Sequence, residues 1–563
     1  MKKPLLSEMT LREKIGQCIL AYHYHINRKY EVDPRILRTQ EERKAICERE
    51  QYGVLWVQTG HGNRGVDVAE GIVERKDNRD SSDEFREYIL NMDSWLKMHA
   101  LVAGDMESGG PGTEFYDLTS TCTPPTLGAT DSEELAYELG VCIGKELRCA
   151  GVNWRWAPVV DMPNRFGISS LRVFAPDDAD QLIRLANAHI RGVQSQGVAS
   201  TAKHFPGHDR YEYRDAHFTS ASIESTMEEW WAEQGKVFQG VIDGGVYSVM
   251  IGHSSFPAAD DTMVGDRYIP ATISKKIITD LLKGKMGFDG VVITDGIVMG
   301  GLYNLMPYEE LIVELFNAGN DVILGVQPGT GELVEQAVQD GRIPESRIDD
   351  ACQRILDMKE KLGLFEEGYP NWDLRAEDVT PKTREVNLEI ARKGITLVRD
   401  DNRMLPLDKE KIKRVTIICS THDDSFYTDL NRMKEEFEKR GADVKMQRRL
   451  KNNEEMEIIA AESDLIVYAA YVAGHKPMGG QVLYGEECAT FLSAFTSGKE
   501  KSIGVSMGYP YLHYDIMGQC PTFINAYSKN PEMMQVFVES IYGENPITGK
   551  SPFRLKPFYD RWD

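Results

Sequence analysis

The sequence predicts an α/β protein in two parts: a (β/α)8 barrel over residues 1–365 and an α/β sandwich over residues 385–563, joined by a linker at 366–384. Two observations predict it. Eight short apolar runs alternate with helical patterns as far as Leu324, and a second strand-and-helix pattern begins beyond a compositional break after Phe365. Strands separated by helices imply parallel pairing through right-handed crossovers, and eight such units are what a closed barrel requires. An open doubly wound sheet is the structural alternative.

In chain order the candidate strands are Ile19–Tyr22, Val54–Val57, Leu101–Gly104, Val152–Trp156, Val198–Thr201, Tyr247–Met250, Val291–Thr294 and Asp321–Leu324. Each is short and mostly apolar or β-branched, as expected of a strand buried on both faces. Helical patterns lie between them at Ser132–Arg148, Asp180–Gln196, Ser225–Ile242 and Tyr308–Ala318. The third opens on Ser225-Thr226-Met227-Glu228, a capping-box pattern. Two stretches rich in Arg, Glu and Asp, Asn27–Gln51 and Asn63–Asp83, interrupt the series and read as solvated faces or loops. Glu366-Glu367-Gly368-Tyr369-Pro370-Asn371-Trp372 has linker composition, and apolar runs at Val415–Cys419, Leu465–Tyr468 and Ile503–Val505 follow it.

The 563 residues carry 65 Lys and Arg against 88 Asp and Glu, a formal charge of −23. That balance argues against nucleic acid as a partner and against docking on an anionic membrane, both of which need clustered cations. No apolar run approaches the length of a membrane span, and the charged N-terminal stretch carries the expectation that no secretory signal is present. The nine cysteines are scattered with no CxxC, which suits reduced thiols and neither a disulfide frame nor a zinc site. The expectation is a cytoplasmic protein without cofactor or metal.

A barrel places its chemistry where strands end. Here the third strand ends in Asp105, followed by Glu107; the fifth ends in Lys203-His204-Phe205-Pro206-Gly207-His208; the sixth reaches His253 and the seventh Asp295. A retaining glycosidase needs a carboxylate nucleophile and a second group that protonates the leaving oxygen. Asp295 has the position for the first role, and equally the position to cap a helix beginning at Gly296. For the second role, Asp215-Ala216-His217 sets a carboxylate two residues from an imidazole, which can orient the ring and raise its basicity. A surface histidine beside an unrelated aspartate is the alternative at that spacing.

Beyond these single residues, the chain resembles family 3 of the glycoside hydrolases over nearly its whole length. The resemblance is carried by Leu11-Arg12-Glu13-Lys14-Ile15-Gly16-Gln17, Lys203–His208 and Gly287–Asp295, then by Ala391–Val398, Leu405-Pro406-Leu407 and Tyr542–Pro552 in the second part. It implies that Asp295 is the nucleophile. It implies too that His217, oriented by Asp215, is the acid/base of the family's β-N-acetylglucosaminidase branch, although the dyad reads Asp-Ala-His where that branch more often has Asp-Ser-His. Lys203, His204, Asp105 and Arg172 match residues that hold the sugar; His208 reads as structural to its loop and His253 receives no role. The expected activity is removal of terminal β-linked N-acetylglucosamine by double displacement, with a carbohydrate as the partner. Two alternatives stay within the fold. One is a β-glucosidase or β-xylosidase drawing its acid from second-domain glutamates such as Glu486 or Glu487; the other is a β-N-acetylglucosaminide phosphorylase, since an imidazole puts no fixed negative charge beside an incoming phosphate.

Overall fold

The computed structural model describes residues 2–21, 39–57, 79–163, 170–209, 212, 214–421, 425–448, 453–472, 497–514 and 520–555. Seven parallel strands run in sequence order: β1 (Leu20–Ala21), β2 (Val54–Trp56), β3 (Leu101–Gly104), β4 (Trp154–Arg155), β5 (Ala199–Phe205), β6 (Ser248–Ile251) and β7 (Val291–Thr294). The eighth predicted run closes the ring, because Val322 bridges Ile293 of β7 while Ile323 bridges Ile19 beside β1. An open sheet would leave β1 and β7 as edges, so the doubly wound alternative is excluded. Every residue of β3, β6 and β7 is buried, which is why these strands read as unbroken apolar runs and not as alternating ones.

The helix Tyr308–Ala318 has the predicted bounds, and Glu133–Cys149 and Ala179–Gln194 lie within two residues of theirs. The third helical pattern splits into Met227–Ala232 and Gln234–Asp243. Its capping box forms one residue later than predicted, between Thr226 and Glu229, which places Trp230 in the core at 1% exposure. The first polar stretch contains the helix Gln40–Glu50, capped by Thr39 and Glu42 and largely exposed, so it is a solvated helix face. Residues 22–38 and 58–78, which include Tyr22 and most of the second polar stretch, lie outside the described residues.

The second part is built on a six-stranded sheet: β8 (Thr396–Asp400), β9 (Arg414–Thr421), β10 (Asp443–Gln447), β11 (Leu465–Tyr471), β12 (Ser502–Ser506) and β13 (Thr522–Asn525). Their order is β8-β13-β12-β11-β9-β10, parallel except for β8 against β13. The boundary read from sequence needs one correction. Residues 376–384, taken as the end of the linker, form the start of the helix Ala376–Gly394, which contains Pro381. An interior proline costs a helix about 3 kcal/mol, and the buried stripe Val379, Thr383, Val386, Asn387 and Ile390 offsets it.

That helix also ties the two parts together. Asn387 accepts from the Cys122 backbone at 2.9 Å and donates to Ser120 O at 3.0 Å, while Thr126 and Ser528 share a hydroxyl hydrogen bond of 2.7 Å. The segment after Tyr542 folds back along the same seam, with Gly549 N on Ile395 O and Lys550 N on Ala129 O. The eight described cysteines are buried, and no described helix is long and apolar enough to cross a membrane.

Candidate active site

Backbone geometry decides which side chains reach the rim of the barrel. Between Lys203 and Phe205 the register of β5 against β6 shifts, and such irregularities re-aim neighbouring side chains. Lys203, 2% exposed, reaches Asp105 Oδ1 at 2.6 Å and also pairs with Glu107. Glu107 in turn takes a two-pronged contact from Arg172, whose Nη2 lies 2.6 Å from Oε1, and the same Nη2 stands 3.4 Å from His204 Nε2. His204 is held from behind by Asp161, which accepts from its backbone N–H at 2.9 Å and contacts Nδ1 at 2.8 Å. Asp105, Lys203, Arg172 and His204, all named from the sequence, thus form one connected layer.

Two members of that layer were missed as site residues. Glu107 was noted at the rim without a role, and it is the hub. Burial would raise its pKa, but Arg172 and Lys203 pull it well below the usual carboxylate range, so it is ionised. Asp161 went unnoticed because Ala157-Pro158 reads as the end of the fourth strand. Pairing in fact resumes past the proline, where Val159 bridges Lys203 and Val160 N bonds to Lys203 O, delivering Asp161 to the rim beside His204.

Asp295 follows β7, its backbone N–H on Ile251 O at 2.9 Å, and its Oδ1 accepts from Gly296 N at 2.7 Å. No helix starts there, so the capping alternative is out. Burial would raise the pKa of Asp295, yet His204, His253, His217 and Lys203 together hold it down at about 2. His253 is buried, and that burial lowers its pKa from the ordinary value. Its Nε2 meets Gly296 O at 2.9 Å and its Nδ1 meets Thr272 Oγ1 at 2.6 Å, which makes it a prop under the Asp295 turn. His208 contacts Glu212 O within its own loop.

The Asp215–His217 pair is real in space as well as in sequence. Asp215, 4% exposed, accepts from His217 N at 2.9 Å and lies 2.6 Å from its Nδ1, while the ring remains 32% exposed. Burial works to lower the pKa of His217, but the Asp215 hydrogen bond and the charge of Asp295 raise it above its ordinary value. What brings this loop over Asp295 is a backbone clasp: Gly300 N bonds to His217 O at 2.8 Å and Gly301 N to Ala216 O at 3.0 Å. A Cβ at Gly300 would stand 2.5 Å from Phe218 O, so only glycine permits the approach. Gly300→Ala is therefore expected to displace His217 and cut kcat/KM about 10²-fold with little change in Tm, measured by steady-state kinetics and thermal melting.

Among the described residues no group of three or more His, Cys, Asp or Glu side chains could hold a metal ion. Glu486, Glu487 and the glycine-rich stretch Ala473–Gly480 lie outside the described residues.

A β-N-acetylglucosaminidase/β-glucosidase of Cellulomonas fimi is 27% identical over 498 residues, 84% of this chain and 86% of that protein. A solved β-glucoside phosphorylase bound to 2FGlc superposes with a TM-score of 0.82 at 26% identity, over 97% of this chain and 94% of that one. A β-N-acetylglucosaminidase from Paenibacillus sp. str. FPU-7 shares the fold at a TM-score of 0.77 and 24% identity, over 97% of this chain and 98% of that one. The model of the glycosyl hydrolase family 3 N-terminal domain matches residues 10–358. The chain therefore belongs to glycosyl hydrolase family 3 and is a glycosidase built on a (β/α)8 barrel followed by a mixed-sheet α/β domain.

Proposed function

We propose that the protein is a retaining, exo-acting β-glycosidase that removes terminal β-linked N-acetylglucosamine. The observation that carries this reading is the Asp215–His217 pair clasped over an ionised Asp295. In the first step a carboxylate oxygen of Asp295 bonds to the anomeric carbon as the glycosidic C–O bond breaks. His217, with Nδ1 taken by Asp215, passes the proton on Nε2 to the departing oxygen. In the second step neutral His217 takes a proton from water, whose oxygen displaces Asp295 and releases the sugar with its β configuration kept. Lys203, Asp105, Arg172 and His204 hold the sugar while Glu107 and Asp161 fix their geometry.

Phosphorolysis is a second reading with its own support. The acid/base is an imidazole, so once its proton has left with the first product no negative charge on that group opposes a phosphate dianion, and a structural neighbour is named a β-glucoside phosphorylase. One experiment separates the readings. The purified full chain is given 4-nitrophenyl β-N-acetylglucosaminide and 4-nitrophenyl β-glucoside, each with and without inorganic phosphate, and the sugar product is identified. The expected result is preference for the N-acetylglucosaminide and free sugar as product. Sugar 1-phosphate in the presence of phosphate would establish phosphorolysis, and preference for the glucoside would overturn the N-acetylglucosamine assignment.

A further inference from the structure

Beneath the charged layer sits an arginine that the mechanism does not use. Arg155 ends β4, is 4% exposed and makes no ion pair among the described residues. Its Nε donates to Met106 O at 3.0 Å, its Nη2 donates to Glu107 O at 3.2 Å, and its Nη1 lies 2.7 Å from His189 Nε2. Burial and the Arg155 charge push His189 down to about 3, so its ring is neutral; Nδ1–H faces Ala136 O at 3.3 Å and Nε2 accepts from Arg155. Burial lowers Arg155 itself to about 10, against the pull of Glu107, so it stays a cation at neutral pH. A buried cation without a paired carboxylate is destabilising, and three acceptors aimed at one guanidinium are what make it tolerable here.

The carbonyls it holds belong to an unusual turn. Met106 has φ +42°, a left-handed conformation that is strained for a residue with a side chain. The turn carries the chain from β3 to Glu107, and the direction of Glu107 decides whether its carboxylate meets both Arg172 and Lys203. A small cavity of about 20 Å³ is lined by Glu107, Arg155, Arg172 and His189, so this region has little room in which to rearrange without loss of contact.

We infer that Arg155 is a positioning residue: its guanidinium fork pins the Met106–Glu107 turn and so sets the carboxylate of Glu107 between Lys203 and Arg172, with His189 as its neutral acceptor. Charge is not the point; the fork is. A lysine at 155 keeps the cation but cannot donate to both carbonyls and to His189 in one plane. That this turn matters for sugar binding rests on the functional reading above, whereas its geometry does not.

The test uses Arg155→Lys and Arg155→Met in the full chain, with crystal structures, Tm and kinetics on the better aryl glycoside. In both variants Met106 should leave the left-handed region and the Glu107–Arg172 contact should open. KM and the Ki of the monosaccharide product should rise together about tenfold or more, corresponding to roughly 1.4 kcal/mol, while the alkaline pH limb set by His217 stays in place. Glu107 unmoved in the Arg155→Lys structure would overturn the inference, as would a loss of Tm with KM and Ki unchanged and Glu107 in place. Glu107 displaced with KM and Ki unchanged would leave the positioning role standing and overturn the sugar-binding assignment instead. Should Arg155→Met fail to fold, Arg155→Lys alone decides.

Discussion

Asp295→Asn is expected to lower kcat on aryl β-glycosides by roughly 10⁴-fold while sugar binding persists. The amide keeps the volume and the hydrogen bond from Gly296 N, so the turn after β7 has no reason to move. What it loses is the anionic oxygen. The surroundings of Asp295 are arranged to keep that charge: His204, His253, His217 and Lys203 outweigh burial and hold its pKa at about 2. On the proposed reading the nucleophile is thus ionised well below neutral pH, and acid loss of activity should not track a carboxylate titrating near its ordinary value. Isothermal titration of the variant with the monosaccharide checks binding, and single-turnover kinetics check the chemistry.

The second large effect belongs to His217. Removing a general acid costs about 10²–10⁴-fold, and the loss should depend on the leaving group. His217→Ala should cripple cleavage of alkyl glycosides, whose oxygen needs the proton, and spare formation of the glycosyl-enzyme from dinitrophenyl glycosides, whose oxygen does not. Hydrolysis of that intermediate should then be slow, because the base that activates water has gone, and azide should restore turnover by forming the glycosyl azide. The sign of the pH effect follows from the partner. Asp215 and Asp295 raise the pKa of His217 against its burial, so the protonated acid survives to higher pH than in an isolated histidine. Asp215→Asn removes the hydrogen-bonded charge and should move the alkaline limb of kcat/KM to lower pH. An alkaline limb that does not move would show that another group donates the proton.

Much of this fold is legible in the sequence because strands buried on both faces leave an unambiguous mark: Leu101–Gly104 and Val291–Thr294 are wholly apolar or β-branched runs, and both are buried along their full length. The eighth run was equally plain, although it joins the ring by single bridges at Val322 and Ile323. Boundaries were harder where two local signals compete. Ser225 and Thr226 each have a glutamate three residues on, and burial of Trp230 selects the second. Pro381 reads as a breaker, and only the buried face of Ala376–Gly394, invisible without its partners, shows why the helix runs through it.

The candidate site shows the same division. Residues at strand ends, Asp105, Lys203, His204 and Asp295, can be placed from the strand pattern alone. Asp161 is hidden by the proline before it, and Glu107 gains its weight from two cations distant in sequence, Arg172 and Lys203. The two-residue spacing of Asp215 and His217 is visible, but the clasp by Gly300 and Gly301 that carries them to Asp295 is a tertiary contact no local pattern announces. Arg155 is hidden for a related reason: a charged residue inside the Trp154–Trp156 run reads as an interruption, and its three acceptors come from two other elements.

Trapping the covalent intermediate tests the central claim most directly. The full chain is incubated with a 5-fluoro β-N-acetylglucosaminyl fluoride, digested and mapped by mass spectrometry. The account predicts one added fluorosugar per chain, carried by the peptide that contains Asp295 and absent in Asp295→Asn. An adduct on Asp105 or Glu107, or steady inactivation of the Asp295→Asn variant at the parental rate, would contradict it.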